Sequence, residues 1–515
     1  MSGTEKNTEE KNTAAGNTAA GGSQPGTAHT AAAAGTANTN AAGNAAVERE
    51  AMFGVLPVMA KEKLYGFLDA FLVLSGYCIA TWSYTQGSYL ATLVGFKQLL
   101  IGAFLGAILM LVIYQLPVIL SVRFGIDIWV WLRAAFGPVG ILIMTVTIII
   151  INYPWYAVCG DLFASSMINL LGFTGLHLPS PFHMLLAILC VAGGTFIAYR
   201  GLSAITWTTR ILVPLLFAVG AVVIIVGFSS VPFDYIMNFR PPRPEGEVSV
   251  IPYIMSVEAN FAFVITLVGG MAEIPRVAKS ERGGYWAGVL GQGLAGSFFV
   301  VVGAVMAIAM QYVCGEMIDD PTTMLATLAT PALALCSLLL VAFANIGTQA
   351  VGAYIYGVML RSAFRRVSYN THITILALYG ILFCLWGKII EYFGSFLTIT
   401  ACIYAPLAAI LFADFFFVRR QQIDLRAAYG MKGHEDVYRF TGGVNLVGIA
   451  SVVLGVAVSL AIYNPVTAQV HLPVLFYLTP TGASFIATLL FYTGMSCITP
   501  VRNYMLGRNP QVNVR

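Results

Sequence analysis

Twelve residues in the middle of an apolar run carry the side chains best suited to chemistry. They read NYPWYAVCGDLF, Asn152 to Phe163, and directly follow ILIMTVTIIII, Ile141 to Ile151. On a helix turning 100° per residue, Asn152, Trp155, Cys159 and Ser166 fall within about 100° of one another. One face then offers an indole plane flanked by an amide, a thiol and a hydroxyl. A planar heteroaromatic ligand can stack on such a ring while hydrogen bonds read its edge. Packing of the tryptophan against neighbouring helices is the competing use. Asp161 lies roughly 120° from that stripe and faces another neighbour, as a proton-linked carboxylate or as one paired with a buried donor.

Three further segments place polar groups inside apolar surroundings. In SGYCIATWSYTQGSY, Ser75 to Tyr89, the small residues Gly76, Ala80, Ser83 and Gly87 recur at helical spacing. Such a stripe admits a neighbouring helix closely, or leaves backbone carbonyls open to an ion. In FVITLVGGMAEIPRVAKSERGG, Phe263 to Gly284, Gly269-Gly270 followed by Pro275 predicts a break, because proline removes a helical N–H. Thr266 stands just before that break. Glu273 and Arg276, three residues apart after it, are spaced for an ion pair, and Glu258 adds a second carboxylate to the same segment. In AFANIGTQAVGAYIYG, Ala342 to Gly357, one face carries Asn345, Thr348, Gln349, Gly352 and Tyr356. Amide, hydroxyl and carbonyl oxygens suit a hard cation such as Na⁺; hydrogen bonding between helices is the alternative use.

The elements that must position these groups are membrane helices. The chain has 515 residues, 58% hydrophobic and 10% charged, against roughly 25% charged in soluble domains. Apolar stretches recur over 67–94, 98–121, 138–170, 182–200, 205–229, 250–277, 285–313, 331–360, 372–387, 394–418, 443–463 and 473–497. A helix of about 20 such residues crosses a hydrocarbon core about 30 Å thick, so twelve spans are expected. Lys61, Lys63, Arg123, Arg133, Arg200, Arg210, Arg276, Lys279, Arg282, Arg361, Arg365, Arg366, Arg419, Arg420 and Arg426 then fall in segments on one side. Only Lys97, Arg240, Arg243 and Lys388 fall on the other. The bias predicts both termini on the cytoplasmic side of the cell membrane. It also accounts for the net charge of +4 without a nucleic-acid partner.

Residues 1–46, rich in Ala, Gly, Thr and Asn, lack the side chains to build a core and read as a disordered cytoplasmic tail. No apolar signal-peptide core marks that tail for removal. A juxtamembrane segment over 47–66, a membrane domain over 67–500 and a cytoplasmic tail over 501–515 complete the expected organisation. The eight cysteines and six histidines are scattered, with no CxxC, HExxH, Walker A or GxSxG pattern. No cofactor and no enzymatic chemistry are expected, and no pore loop or charged ring points to a channel. Breaks in the first and sixth spans, with polar faces on the third and eighth, fit a transporter built from a five-plus-five inverted repeat.

From about Tyr65 to Leu460 the chain also resembles the nucleobase:cation symporter family of cytosine, purine, uracil, hydantoin, allantoin and thiamine permeases. The resemblance rests on NYPWYAVCGDLFA, YRGLSAITWTTRILVPL, MAEIPRVAKS, ANIGTQAVGAYIY, APLAAILFADFFFVRR and RFTGGVNLVGI, taken in their order and spacing. It implies a LeuT-like core of ten helices plus two, working by alternating access as a cation symporter in the lipid bilayer. It implies that Trp155 stacks on the substrate and that Asn152 stands where the family has an edge-reading Gln. It puts a Na⁺ site between Gly76 and Ala80 of the first span and Asn345, Thr348 and Gln349 of the eighth. Three positions depart from the pattern. Gln349 replaces a family Thr, Ala350 replaces an Asn that reads the substrate, and the sandwiching aromatic of the sixth span falls at Val264, next to Phe263. Gln349 is then a candidate to restore the lost hydrogen bond. Na⁺ and H⁺ both stay open as coupling ion, with Asp161, Glu258, Glu273 and Arg276 as coupling or gating candidates. An amino acid or a vitamin precursor is the alternative substrate.

Overall fold

The computed structural model describes residues 53–79, 81–242, 250–318 and 321–507. The expected tail over 1–46 lies outside these residues, as do Ala80 and the end of the C-terminal segment.

Fourteen helices, numbered in chain order, frame the description. They are α1 Phe67–Cys78, α2 Thr81–Leu93, α3 Phe96–Tyr114, α4 Ile128–Asn152, α5 Trp155–Gly172, α6 Pro181–Tyr199 and α7 Leu202–Ser230. The others are α8 Ile251–Ile265, α9 Glu281–Cys314, α10 Pro331–Ala363, α11 Tyr369–Trp386, α12 Phe393–Val418, α13 Leu446–Ile462 and α14 Pro480–Cys497. Among the described residues, nine helical runs are long and apolar enough to cross a membrane, α4 and α5 counting as one run. Two bent pairs bring the number to 11, and α13 is a shorter apolar helix. Every one of the twelve apolar stretches in the sequence therefore carries a helix.

Where the chain stops being helical matters most for function. The first span is two helices, α1 and α2, meeting at 58°. The sixth is α8 followed by a 3-10 turn over Thr266–Gly270, as Gly269-Gly270 and Pro275 predict. The third differs from the sequence expectation of one helix over 138–170. It starts earlier, at Ile128, where the Asp127 side chain caps it by accepting from Val130 N. It kinks at Gly137, whose φ of 84° is left-handed, and it breaks in a tight turn at Tyr153–Pro154. Pro154 has no N–H to continue the ladder; Tyr156 N and Ala157 N bond instead to the carbonyls of Tyr153 and Pro154.

Packing follows from small residues where backbones approach. A Cβ on Gly87 of α2 would lie 1.9 Å from the Val300 carbonyl of α9, and one on Gly303 of α9 would lie 2.1 Å from the Tyr84 carbonyl. Glycine at both positions lets α2 and α9 touch through their main chains. Helix α9 is largely enclosed, whereas α6, α7 and α11 turn much of their apolar surface outward, as lipid-facing helices would. Ahead of α1, Phe53 to Tyr65 runs as a strap across one end of the bundle. Val58 N donates to Gly125 O, Tyr65 N to Val277 O, and Lys279 N to Tyr65 O. Phe53 stacks on Tyr369 at 4.2 Å. Beyond α13 a two-stranded hairpin pairs Tyr463 with Val470 and Asn464 with Gln469.

Candidate functional site

The breaks in the first, third and sixth spans surround one small cavity. Among the described residues it is lined by Tyr77, Trp82, Asn152, Trp155, Tyr156, Phe263, Thr266 and Leu267. Each comes from a helix end or from the first turn after one, where the chain departs from the regular α-helical ladder.

Its walls are aromatic. Trp155 is held edge to face by Trp82 at 5.5 Å and 87° and by Phe393 of α12 at 5.4 Å and 88°. Phe396 lies 5.0 Å away on the same helix. Tyr156 meets Tyr356 of α10 at 5.8 Å and 82°. A Cβ on Gly352 would fall 1.6 Å from the Tyr156 hydroxyl, so the bare backbone of α10 is what admits this ring. The Asn152 amide nitrogen donates to the Tyr356 hydroxyl, which is 3.1 Å from that of Tyr404.

The remaining polar atoms of the cavity have no such partners. Asn152 Oδ1, Trp155 Nε1 and the Tyr156 hydroxyl are buried without a hydrogen bond among the described residues, on side chains exposed by 3%, 5% and 1%. An unmet buried group of this kind costs about 1–3 kcal/mol. Two donors and an acceptor are thus available to a ligand. No charged side chain is among the residues lining the cavity.

A second polar cluster joins the first span to the eighth. Thr348 Oγ1 donates to Gly76 O at 2.8 Å, and Thr81 Oγ1 donates to Asn345 Oδ1 at 2.6 Å. Asn345 Nδ2 returns to its own helix at Val341 O. The oxygens are neutral and of the kind a hard monovalent cation accepts.

The family model described as permease for cytosine/purines, uracil, thiamine, allantoin matches residues 57–480. The chain belongs to this family. Hydantoin permease from Microbacterium maritypicum is 36% identical over 101 residues, 19% of this chain and 20% of that protein, so the match spans about a fifth of that relative. Among solved structures the permease resembles Mhp1, a nucleobase-cation-symport-1 family transporter, in a closed conformation with bromovinylhydantoin bound. The TM-score is 0.71 at 19% identity, covering 89% of this chain and 96% of that one. The inward-facing conformation of Mhp1 gives 0.70 at 19% identity, with 88% and 96% covered. A Na⁺-coupled sialic acid symporter gives 0.58 at 11% identity, with 85% and 90% covered. The permease therefore has the LeuT-like fold and is a multi-pass membrane transporter, not an enzyme.

Of the substrate residues expected from sequence, Asn152, Trp155, Phe263 and Thr266 come together at the cavity. Thr266 Oγ1 is occupied by Phe263 O. Cys159 and Gln349 are not among the lining residues. Cys159 lies one turn further along α5, where its carbonyl faces Cys190 of α6. Gln349 packs on Gly194 of α6, whose Cβ would lie 2.3 Å from Gln349 Cγ. Tyr77, Trp82, Tyr156 and Leu267 line the cavity and were not expected there. The second aromatic after Pro154, beside Trp155, and the TWSY run of the first span were the available signals.

The coupling candidates lie apart. Asp161 is 3.8 Å from His183 of α6. Glu258 accepts from Thr481 N at 2.9 Å and from Thr481 Oγ1 at 2.7 Å, tying α8 to the start of α14. Glu273 and Arg276 do not form the expected ion pair. The guanidinium Nε donates to the backbone carbonyl of Glu273 at 3.1 Å, and another of its nitrogens lies 3.3 Å from the Tyr354 hydroxyl. The segment is a turn leading into a 3-10 helix over Pro275–Val277, so the α-helical spacing that would align the two side chains is absent. The Glu273 carboxylate folds back on Ala272 N instead.

Proposed function

We propose that this permease imports a neutral, planar N-heterocycle of the nucleobase or hydantoin type together with a cation. The observation that carries the reading is the set of three unpartnered groups, Asn152 Oδ1, Trp155 Nε1 and the Tyr156 hydroxyl, inside an uncharged aromatic cavity. A ring amide or imide presents one N–H and adjacent carbonyl oxygens, which matches one acceptor and two donors. An amino acid would leave its carboxylate and ammonium facing tryptophan and tyrosine, at a high desolvation cost; a cationic vitamin precursor meets no carboxylate there. Trp155 supplies the stacking plane and Asn152 the edge contact.

The cation site in this reading is the junction of α1 and α10, with Gly76 O and Thr348 Oγ1 as ligands and Asn345 and Thr81 beside them. Ala80, which belongs to the same expected site, lies outside the described residues. Joint binding of ion and heterocycle favours closure, and rocking of the helices exchanges access between the two sides. Proton coupling is the second reading. It is favoured by Glu258, a buried carboxylate that bridges α8 to α14 through Thr481, since carboxylates inside membranes are costly and usually functional. The excess of Lys and Arg in the segments on one side supports a cell-membrane orientation with both termini cytoplasmic.

Proteoliposomes test the proposal. Labelled nucleobases, hydantoins and amino acids are offered under an imposed Na⁺ or proton gradient. Uptake of a neutral heterocycle supports it, and uptake of amino acids alone refutes it. Loss of Na⁺ stimulation in Thr348→Ala assigns the junction as the cation site, whereas loss of proton-driven uptake in Glu258→Gln with Na⁺ without effect assigns Glu258.

A further inference from the structure

The cavity contains two indoles in different states. The Trp155 N–H has no partner among the described residues. The Trp82 N–H is committed, donating to Cys78 O at 2.7 Å. Cys78 ends α1 and Trp82 sits in the first turn of α2, so this side-chain bond spans the break in the first helix. Ser83 Oγ reaches the same carbonyl at 2.7 Å. With its donor fixed, Trp82 offers a ligand only ring surface and ring edge. The ring is also fixed sideways, 6.3 Å from Tyr77 at 88° and 5.5 Å from Trp155 at 87°.

The same residue adjoins the cation cluster. Cys78 is two residues from Gly76, whose carbonyl takes the Thr348 hydroxyl, and Thr81, the neighbour of Trp82, bonds Asn345. One indole thus has its ring in the cavity and its N–H on the segment that carries the cation ligand.

We propose that Trp82 is a specificity-determining residue whose ring forms the second aromatic contact of the bound heterocycle while its N–H holds the helix break that presents Gly76 O to the cation. The inference rests on the cavity's being the substrate site, as proposed above. It gives the first span an aromatic contact of its own, beside that of Phe263 in the sixth. Aromatic contacts have a preferred geometry, so the ring selects among heterocycles by shape, and it transmits occupancy to the cation site through a single hydrogen bond.

The test uses the full-length permease in lipid nanodiscs, with heterocycle binding measured by calorimetry across a panel and across Na⁺ concentrations. Trp82→Leu removes the ring and is expected to weaken the preferred heterocycle about tenfold and to flatten selectivity across the panel. Trp82→Phe keeps a ring and loses the N–H. Its affinity at saturating Na⁺ is expected to fall less than that of Trp82→Leu, while the Na⁺ needed for half-maximal binding rises by at least about threefold. Unchanged rank order and affinity in Trp82→Leu overturn the inference. Should Trp82→Leu not reach the membrane, Trp82→Phe and Trp82→Tyr decide, since identical selectivity and Na⁺ dependence in both overturns it as well. A wild-type protein that binds no heterocycle overturns the proposed function itself. Loss of binding in Trp155→Ala with no change at Trp82 leaves that function standing and removes this inference alone.

Discussion

The aromatic cavity and the α1–α10 junction are built from neighbouring stretches of the same broken helix, yet they hold their polar groups in opposite states. In the cavity, Asn152 Oδ1, Trp155 Nε1 and the Tyr156 hydroxyl are buried and unmet. At the junction, Gly76 O, Thr348 Oγ1, Thr81 Oγ1 and Asn345 Oδ1 are all engaged with one another. A ligand entering the cavity repays a standing desolvation cost of about 1–3 kcal/mol per group. A cation bound at the junction, as proposed, would replace the Thr348–Gly76 hydrogen bond and so trade one interaction for another. Under the proposed function, the contrast assigns substrate affinity mainly to the cavity and leaves the junction to respond to small movements of α1 against α10.

Substitutions can break that contrast or sharpen it. The largest effect is expected from Trp155→Ala, which removes the stacking plane and should abolish uptake while the protein still reaches the membrane; normal uptake by this variant would sink the stacking arrangement. Gly352→Ala should come next. Its new methyl group occupies the position of the Tyr156 hydroxyl and drives that ring toward the cavity, so heterocycle binding should fall well over tenfold. Asn152→Leu deletes the edge acceptor and should weaken binding about tenfold, seen as a raised dissociation constant in calorimetry. Thr348→Ala should raise the Na⁺ concentration for half-maximal uptake several-fold and leave heterocycle affinity at saturating Na⁺ within about twofold. If it lowered that affinity as much as Asn152→Leu does, the two regions would not be separable. The smallest change, about threefold in affinity, is expected for Tyr156→Phe, which keeps the ring and loses only the hydroxyl.

Much of the architecture was legible in the sequence for a simple reason. A bilayer demands about 20 apolar residues per helix, and that demand leaves a long, unambiguous record. The break in the sixth span was equally plain, because Gly269, Gly270 and Pro275 announce it. A break in the first span was expected from the repeat pattern, but its position was not marked. The residues between α1 and α2 include no proline or glycine, so Tyr77 and Trp82 read as ordinary helical aromatics. Periodicity placed Asn152 and Trp155 together correctly but carried the count on to Cys159, a further turn along α5, which faces α6. At Gln349 a helical wheel reported that the face is polar without saying which neighbour it meets; α6 and its Gly194 took that place. For Glu273 and Arg276, the helical spacing had no helix to act on.

The strap from Phe53 to Tyr65 carries a consequence for how the chain is made. Its partners are Gly125, Val277, Lys279 and Tyr369, and Ser362 donates to Gly54 O. The segment leaves the ribosome first among these, but its last docking surface is synthesised some three hundred residues later. Contacts of such sequence separation close late. The end of the bundle that the strap crosses is therefore sealed only after the first eight spans have been made, which makes the strap a natural reporter of how far biogenesis has advanced.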